Sequence, residues 1–590
     1  MFWEKLDAVS ERLRRAAPES RLLAAGIGFA RPDRVPAVGS YRRAMRLAES
    51  SRALSFLRVL RGRLLSRSLR EVGLFLVSWS AVSAFFGWLR SGRTTDAGFL
   101  FPLLSGMILL PLLAERRTVR SLFREECLIG KFFFGFCRLS DDALYGAEPA
   151  SGTAVFPALF GGAALGTLSA FVPPFWFPAT VLTASICAIG FAVPELPLLA
   201  ILLAFPFYGL TAHPSLLLAL SAAFLLVCCL GKVVRGQRPV AVRPVDFAAL
   251  LFAAVCVGGG AVSATGIAPS GFLSAFLIVA SWLPARVLLS SRLWLRRAVD
   301  ALLLSGSVCA GIGVIQYASG KTTAGWMDLS RFGSLGGRVC STFSNPNLLA
   351  IFLLAVYALA LGSVLTGRRL TLIPLLLSGG CLIVTWSRGA WLGALAATVF
   401  LLAVSCRRSL SCLLISPLAL FAALPWIPET VRLRFSSIGV SGDSSARYRV
   451  STYRGVLRLL KRYPCGIGNG ESAFHRMFAG FAVSGTESVM HAHNVFLQVA
   501  VEHGIPGLLI FLTVPLLLFC DFLRVGLSDP AGCSRSGASG AVAAIVGLLV
   551  MGCFDHLWYQ PTLLWLFWFL SALSVTYAQT SGKIQKEVSP

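Results

Sequence analysis

Two histidines and an asparagine, His491, His493 and Asn494, stand where an arginine-rich polar segment passes abruptly into an apolar run of membrane-spanning length, residues 494 to 522. An imidazole can accept a proton from a hydroxyl near neutral pH, its unperturbed pKa being about 6.5. Just upstream lie Arg432, Arg434, Arg447, Arg449, Arg454, Arg458, Lys461, Arg462 and Arg476, against only Glu429, Asp443, Glu471 and Glu487. Guanidinium groups carry a permanent charge on a forked set of donors, which suits phosphate. Arg388 adds one more, in Trp386-Ser387-Arg388-Gly389 between two apolar runs, where a charge is costly unless it is paired or faces water.

Together these groups could support expulsion of a diphosphate. Transfer of a glycan from a polyprenyl diphosphate to a hydroxyl needs charge stabilisation on the departing diphosphate and a base near the attacking oxygen. Arginine would supply the first and histidine the second. No Asp-x-Asp pair of the kind that holds a divalent metal occurs on the same side, so arginine replaces metal in this reading, and no cofactor is required. Plainer readings stand beside it. The arginines could contact lipid phosphates or form a solvated face, Arg388 could snorkel, and His491 or His493 could cap the following helix with Asn494 as capping partner. Asp555 and His556, at the end of another apolar run, are further polar candidates.

The surrounding pattern positions these residues. Between Arg447 and Tyr463 the helical period puts Arg447, Arg454, Arg458 and Lys461 on one side and Val450, Tyr453, Leu457 and Leu460 on another. A helix lying on the outer membrane surface with a basic face is expected. Pro464 and Cys465-Gly466-Ile467-Gly468-Asn469-Gly470 end it in a tight turn, which is no nucleotide fingerprint because no strand precedes it.

The 590 residues are 56% hydrophobic with a mean hydropathy of +0.74, which excludes a soluble protein. Apolar runs at about 72–89, 98–114, 153–171, 179–193, 196–211, 215–230, 246–262, 271–290, 299–317, 347–365, 371–386, 389–405, 411–427, 494–522, 541–558 and 561–578 suggest about sixteen passes. The net charge of +26 sits mainly in short clusters between those runs, such as Arg116-Arg117, Arg296-Arg297, Arg368-Arg369 and Arg407-Arg408. That is the positive-inside pattern of a multipass membrane protein, not the footprint of a nucleic-acid binder. It leaves 338–347, 386–389 and 428–493 on the outer side. The first seventy residues read as a basic amphipathic cytoplasmic segment or tail. The cysteines show no CxxC spacing, and Cys340 with Cys465 is the one pair worth testing as a disulfide.

The residues just quoted also resemble a known family. Arg447 to Tyr453, Tyr463 to Gly470, His491-Ala492-His493-Asn494-Val495-Phe496-Leu497-Gln498 and Glu502-His503-Gly504-Ile505-Pro506-Gly507 are similar to the O-antigen ligase and polymerase superfamily, with Ser344-Asn345-Pro346-Asn347 and Trp386 to Gly389 in the same order. The resemblance covers about residues 300 to 575. It implies an all-α polytopic bundle of the GT-C-like class with a helical extracytoplasmic loop, acting as a glycosyltransferase on an undecaprenyl-diphosphate-linked glycan without metal. Carried over by position, His493 would be the catalytic histidine and Arg388 and Arg447 would bind diphosphate. Arg449, Arg454, Arg458, His491 and Asn494 are possible additions, and Glu502 with Gly504 forms a supporting turn. The acceptor would be a glycan, lipid or protein hydroxyl. The implied organisation is a cytoplasmic segment 1–70, transmembrane helices 71–298 and 299–427, a catalytic loop 428–493, helices 494–579 and a tail 580–590, in the cytoplasmic membrane. Two departures stand out: no aromatic directly follows Asn469, Phe474 coming later, and the stretch from Phe474 to His491 is short. A polymerase of the same superfamily is the alternative reading, and a lipid-linked glycan transporter is the rival from another class. The transporter would need ionisable groups along a path at the membrane midplane; Asp246, Asp300 and Asp521 fall near span ends, leaving Glu195.

Overall fold

The computed structural model describes residues 66–119, 155–169, 193–234, 242–323, 337–405, 444–528 and 538–588, apart from Tyr559, together with Ile186 and Gly190. The expected apolar run 411–427, most of 179–193 and most of the N-terminal basic segment, with Arg432 and Arg434, lie outside the described residues. Every described element is helical, with two isolated bridges, Ser68 with Thr118 and Thr323 with Arg338, and no strand among the described residues.

The helices are α1 (Leu69–Ser91), α2 (Ala97–Leu109), α3 (Val155–Ser169), α4 (Glu195–Ala204), α5 (Pro214–Val234), α6 (Pro244–Ala261), α7 (Pro269–Leu288), α8 (Arg292–Ala318), α9 (Pro346–Leu365), α10 (Leu372–Val384), α11 (Arg388–Ser405), α12 (Ser444–Arg462), α13 (Glu471–Ala479), α14 (Val495–Ser528), α15 (Ala538–Gly552) and α16 (Pro561–Val588). Proline opens α5, α6, α7, α9 and α16, where its missing N–H is no loss and its fixed φ suits the first turn. Eight segments are long and apolar enough to cross a membrane: α1, α2 with its 3-10 extension to Ala114, α6, α7, α8, α9, α14 as far as Leu523, and α16 as far as Ala578. The apolar stretches of the remaining helices are shorter: α3, α4, α5 as far as Leu230, α10, α11 as far as Val404, and α15. The protein is an all-α polytopic membrane protein.

The chain divides into two compact units. In the one built from Val38–Leu196 and Leu230–Arg238, α1 packs against α2 and α3. A Cβ on Gly162 of α3 would fall 2.2 Å from the Phe75 carbonyl, so the two backbones approach where only hydrogen fits. In the same unit Glu195 is buried against Lys232, Oε1 to Nζ 2.5 Å.

The larger unit holds Pro197–Cys229 and Pro239–Pro590. Its centre is α9 and α16, both mostly buried, with α10, α11 and α15 around α9 and with α7, α14 and α15 around α16. At one end of this bundle the acids near span ends are ion-paired. Asp246 takes Arg286 Nε at 2.8 Å and Trp282 Nε1 at 2.8 Å, Asp521 takes Arg243, and Asp300 takes Arg368. All three lie at span ends opposite to the candidate site, and each has a cationic partner, as low-dielectric surroundings demand.

At the other end, the segment before α9, the tip between α10 and α11, the segment before α14 and the turn between α15 and α16 come together. The apolar run expected to continue to 558 breaks at Gly552. Cys553 to Trp558 turn instead over the beginning of α14, and this turn carries Asp555 and His556.

Candidate functional site

The site rests on a break in α14. Gly504 has φ 73° and ψ 177°, and Pro506 has no N–H, so the carbonyls of Val501 and Glu502 lose their helical partners. The glycine turn replaces them: Ile467 N–H donates to the Val501 carbonyl at 2.8 Å and Gly468 N–H to the Glu502 carbonyl at 2.9 Å, while Ile505 N–H donates to the Pro464 carbonyl at 2.9 Å. A Cβ on Gly504 would lie 2.4 Å from the Cys465 carbonyl carbon. The glycine pattern after α12 and the Glu502-His503-Gly504 break are therefore two halves of one joint.

That joint fixes the histidine segment. Gln498 Nε2 donates to Glu502 Oε1 at 2.9 Å, and Gln498 Oε1 accepts the Ala492 N–H at 2.7 Å. Asn494 Oδ1 accepts from the N–H of Phe496 at 2.9 Å and Leu497 at 3.0 Å, and its Nδ2 donates to the Cys553 carbonyl at 3.0 Å. Asn494 is the helix cap, so neither histidine is spent on capping. His493 itself has φ 48°, a left-handed conformation that a side chain with a Cβ adopts only when its surroundings hold it there.

His493 Nδ1 lies 3.3 Å from Asp555 Oδ1. A carboxylate at Nδ1 places the ring proton there and leaves the Nε2 lone pair free, the tautomer a general base requires. Asp555 is itself held, Oδ1 by the His556 N–H at 2.9 Å and Oδ2 by Asn347 Nδ2 at 3.0 Å. His491 Nδ1 accepts the His493 N–H at 3.2 Å, and the two rings stand 4.1 Å apart by centroid. Tyr448 meets His493 edge-on at 6.1 Å, and the Tyr453 hydroxyl lies 3.0 Å from the carbonyls of both His493 and Cys553.

The electrostatics separate the roles. Burial alone would raise the Asp555 carboxyl, but the His493 hydrogen bond, the Arg449 guanidinium and the imidazoles of His493 and His491 hold it well below the usual carboxylate range. Burial, then the neighbouring His493, pushes His491 down to about 4, and burial with His491 as neighbour pushes His556 down to about 3. His491 and His556 thus stay neutral at physiological pH, beside an ionised Asp555.

The arginines are not all gathered. Arg449 acts on both Asp555 and His491. Arg388 opens α11, half-buried, and a Cβ on its neighbour Gly389 would lie 3.3 Å from Phe554 Cβ, beside Asp555. Arg447, Arg454 and Arg458 are exposed on α12. That helix buries a different stripe from the one its periodicity suggests. Val450 is 48% and Leu457 54% exposed, while Val456 and Leu459 join Ile467, Phe474, Phe478, Val489, Ala492 and Val501 in a core. Gly455 sets this rotation, since a Cβ there would meet the Phe478 ring at 2.8 Å. Phe474 belongs to this core.

His491, His493 and Asp555 each offer a ligand atom within 4.8 Å of the others, a spacing open to a cation. Their atoms are already shared, however, with Asp555 Oδ1 accepting from His493 and His556, His491 Nδ1 accepting from His493 N–H, and Arg449 adding positive charge. A cavity of about 180 Å³ is lined by His491 and, among others, Ser274, Gln498, Glu502, His556 and Trp558, with no arginine among the described residues that line it. Cys340 and Cys465 are free thiols.

In the sequence Asp555 is only a further polar candidate, Asn347 stands in the Ser344-Asn345-Pro346-Asn347 motif without a role, and Arg338 only begins the outer segment 338–347. Beyond that motif, the signal each carries is position, being polar near the end of an apolar run.

Residues 373–512, from α10 into α14, match the family model described as O-antigen ligase. The match supports membership of the O-antigen ligase superfamily, in keeping with the resemblance carried by the sequence motifs. It takes in Arg388, Arg447, His493 and Glu502 and stops short of Asp555. No curated protein matches the chain.

Proposed function

We propose that the protein transfers a preassembled glycan from an undecaprenyl-diphosphate carrier to an acceptor hydroxyl at the extracytoplasmic face of the cytoplasmic membrane, without a metal. The observation that carries this reading is the His493–Asp555 pair, bordered by Arg449, in a chain whose residues 373–512 match an O-antigen ligase model. His493 Nε2 takes the proton of the acceptor hydroxyl as its oxygen attacks the anomeric carbon. The bond from that carbon to the phosphate oxygen breaks, and the electron pair leaves with undecaprenyl diphosphate. Asp555 holds the ring tautomer and stabilises the imidazolium that forms.

In this reading Arg449 and Arg388 stabilise the departing diphosphate, and the exposed arginines of α12, Arg447, Arg454 and Arg458, add to the positive charge on the same helix as Arg449. The cavity lined by His491, Gln498 and the carboxyl side chains of Glu471 and Glu502 suits a hydroxyl-bearing ligand, which is the chemistry of an acceptor. The test is incubation of the purified protein in nanodiscs with an undecaprenyl-diphosphate glycan and a panel of glycan, lipid and peptide acceptors. Release of undecaprenyl diphosphate matched by glycosylated acceptor supports transfer. Movement of intact donor across the bilayer without cleavage contradicts it.

A further inference from the structure

The Ser344-Asn345-Pro346-Asn347 stretch takes no part in the transfer as derived above, yet its side chains are among the best-connected at this end of the bundle. Asn345 Oδ1 accepts the Asn347 N–H at 2.8 Å and so caps α9, which fixes where Asn347 begins the helix. The Asn347 amide is then used at both ends. Its Oδ1 accepts from Arg338 Nη2 at 2.6 Å, and its Nδ2 donates to Asp555 Oδ2 at 3.0 Å. Only one amide orientation satisfies both, because a guanidinium offers only donors and a carboxylate only acceptors.

Arg338 is 4% exposed. Its Nε donates to the Thr385 carbonyl at 2.8 Å, and the same hairpin tip is tied back by Trp386 Nε1 to the Gly337 carbonyl at 3.1 Å. A continuous chain of hydrogen bonds therefore runs from the tip that carries Arg388, through Arg338, Asn347 and Asp555, to His493 Nδ1. Without Asn347 the Oδ2 side of Asp555 would lose its hydrogen bond, and the carboxylate could rotate off His493. We propose that Asn347, set by Arg338, is the positioning residue that holds Asp555 against His493. This rests on the transferase reading for its catalytic meaning, but the geometry it asserts is measurable without any turnover.

The test uses diethyl pyrocarbonate on the full-length protein in nanodiscs, with labelling of each histidine followed by mass spectrometry. The reagent acylates the free nitrogen of a neutral imidazole, so its rate at His493 reports the nucleophilicity of Nε2, and exposed His213 is the internal reference. Asn347→Ala and the isosteric Asn347→Asp, which removes the Nδ2 donor, are each made in wild type and in Asp555→Asn. In wild type each slows labelling of His493 relative to His213 by about three- to tenfold, the coupling usual within one hydrogen-bond network. In Asp555→Asn neither produces further slowing, because the route to His493 is already cut.

Equal slowing in both backgrounds would mean that Asn347 acts on the fold and not through Asp555. An unchanged rate in wild type would also overturn the proposal. Arg338→Lys, which keeps the charge and loses the fork, gives an intermediate rate in wild type and no change in Asp555→Asn. If transfer activity were absent from the wild-type protein while this pattern held, the transferase reading would fall and the positioning chain would stand.

Discussion

Asp555 reaches His493 at 3.3 Å across 62 residues of sequence, from the turn between α15 and α16 to the residue before the cap of α14. The pair makes a specific demand on kinetics. Asp555→Asn keeps the shape and removes the charge that holds the Nδ1 proton, so kcat for glycan transfer should fall by about 10²- to 10⁴-fold, the range of general-base assistance. Donor KM should move by no more than a factor of about two, since Asp555 binds the base and not the substrate. Steady-state kinetics on the purified variant checks both.

The left-handed backbone of His493 carries a cost in stability. His493→Gly should melt higher than His493→Ala, by the equivalent of about 1 kcal/mol, because only glycine adopts φ 48° freely. Both variants should be inactive. Equal melting temperatures would show that the segment relaxes once the imidazole is gone.

Gly504→Ala attacks the joint beneath the histidines. With a Cβ 2.4 Å from the Cys465 carbonyl carbon at φ 73°, the glycine turn has to move away from Val501 and Glu502. A loss of about 3 kcal/mol or more is expected, read as a lower melting temperature and a lower yield of folded protein.

Much of this was legible in the chain. The spans, the helical stretch after Arg447, the glycine turn and the cap at Asn494 are local features, and local features leave periodicity, prolines and cap residues in the sequence. The rotation of α12 was not legible, because Val450 and Leu457 look as apolar as Val456 and Leu459, and only the close approach of Gly455 to Phe478 selects the buried stripe. The Asn347–Asp555–His493 connection is less legible still. It joins three turns at the ends of different helices, and nothing in the spacing of 347, 493 and 555 encodes their meeting.

The neutral histidines set an acid limit to stability. An imidazole titrates near ~6.5 in an unfolded chain, whereas the fold holds His491 at about 4 and His556 at about 3. Between about pH 6.5 and about 4 the unfolded state therefore binds protons that the folded state refuses, and stability falls as pH falls through that window. Asp555, held low, adds to the same loss at more acid pH, where protonation removes its stabilising interactions. Melting temperatures between pH 7 and pH 4 should drop more steeply for the wild type than for His491→Asn, which has one imidazole fewer to protonate.

The most direct measurement is transfer from an undecaprenyl-diphosphate glycan by purified protein in nanodiscs with EDTA present, comparing wild type with His493→Gly, both checked for a normal melting transition. A metal-free transfer using His493 as base predicts full wild-type turnover in EDTA and turnover at least about 10²-fold lower in the variant. Wild-type turnover that collapses in EDTA and returns with added zinc or magnesium would instead make His491, His493 and Asp555 a metal site. A folded His493→Gly protein that still transfers at the wild-type rate would contradict the central role given to this histidine.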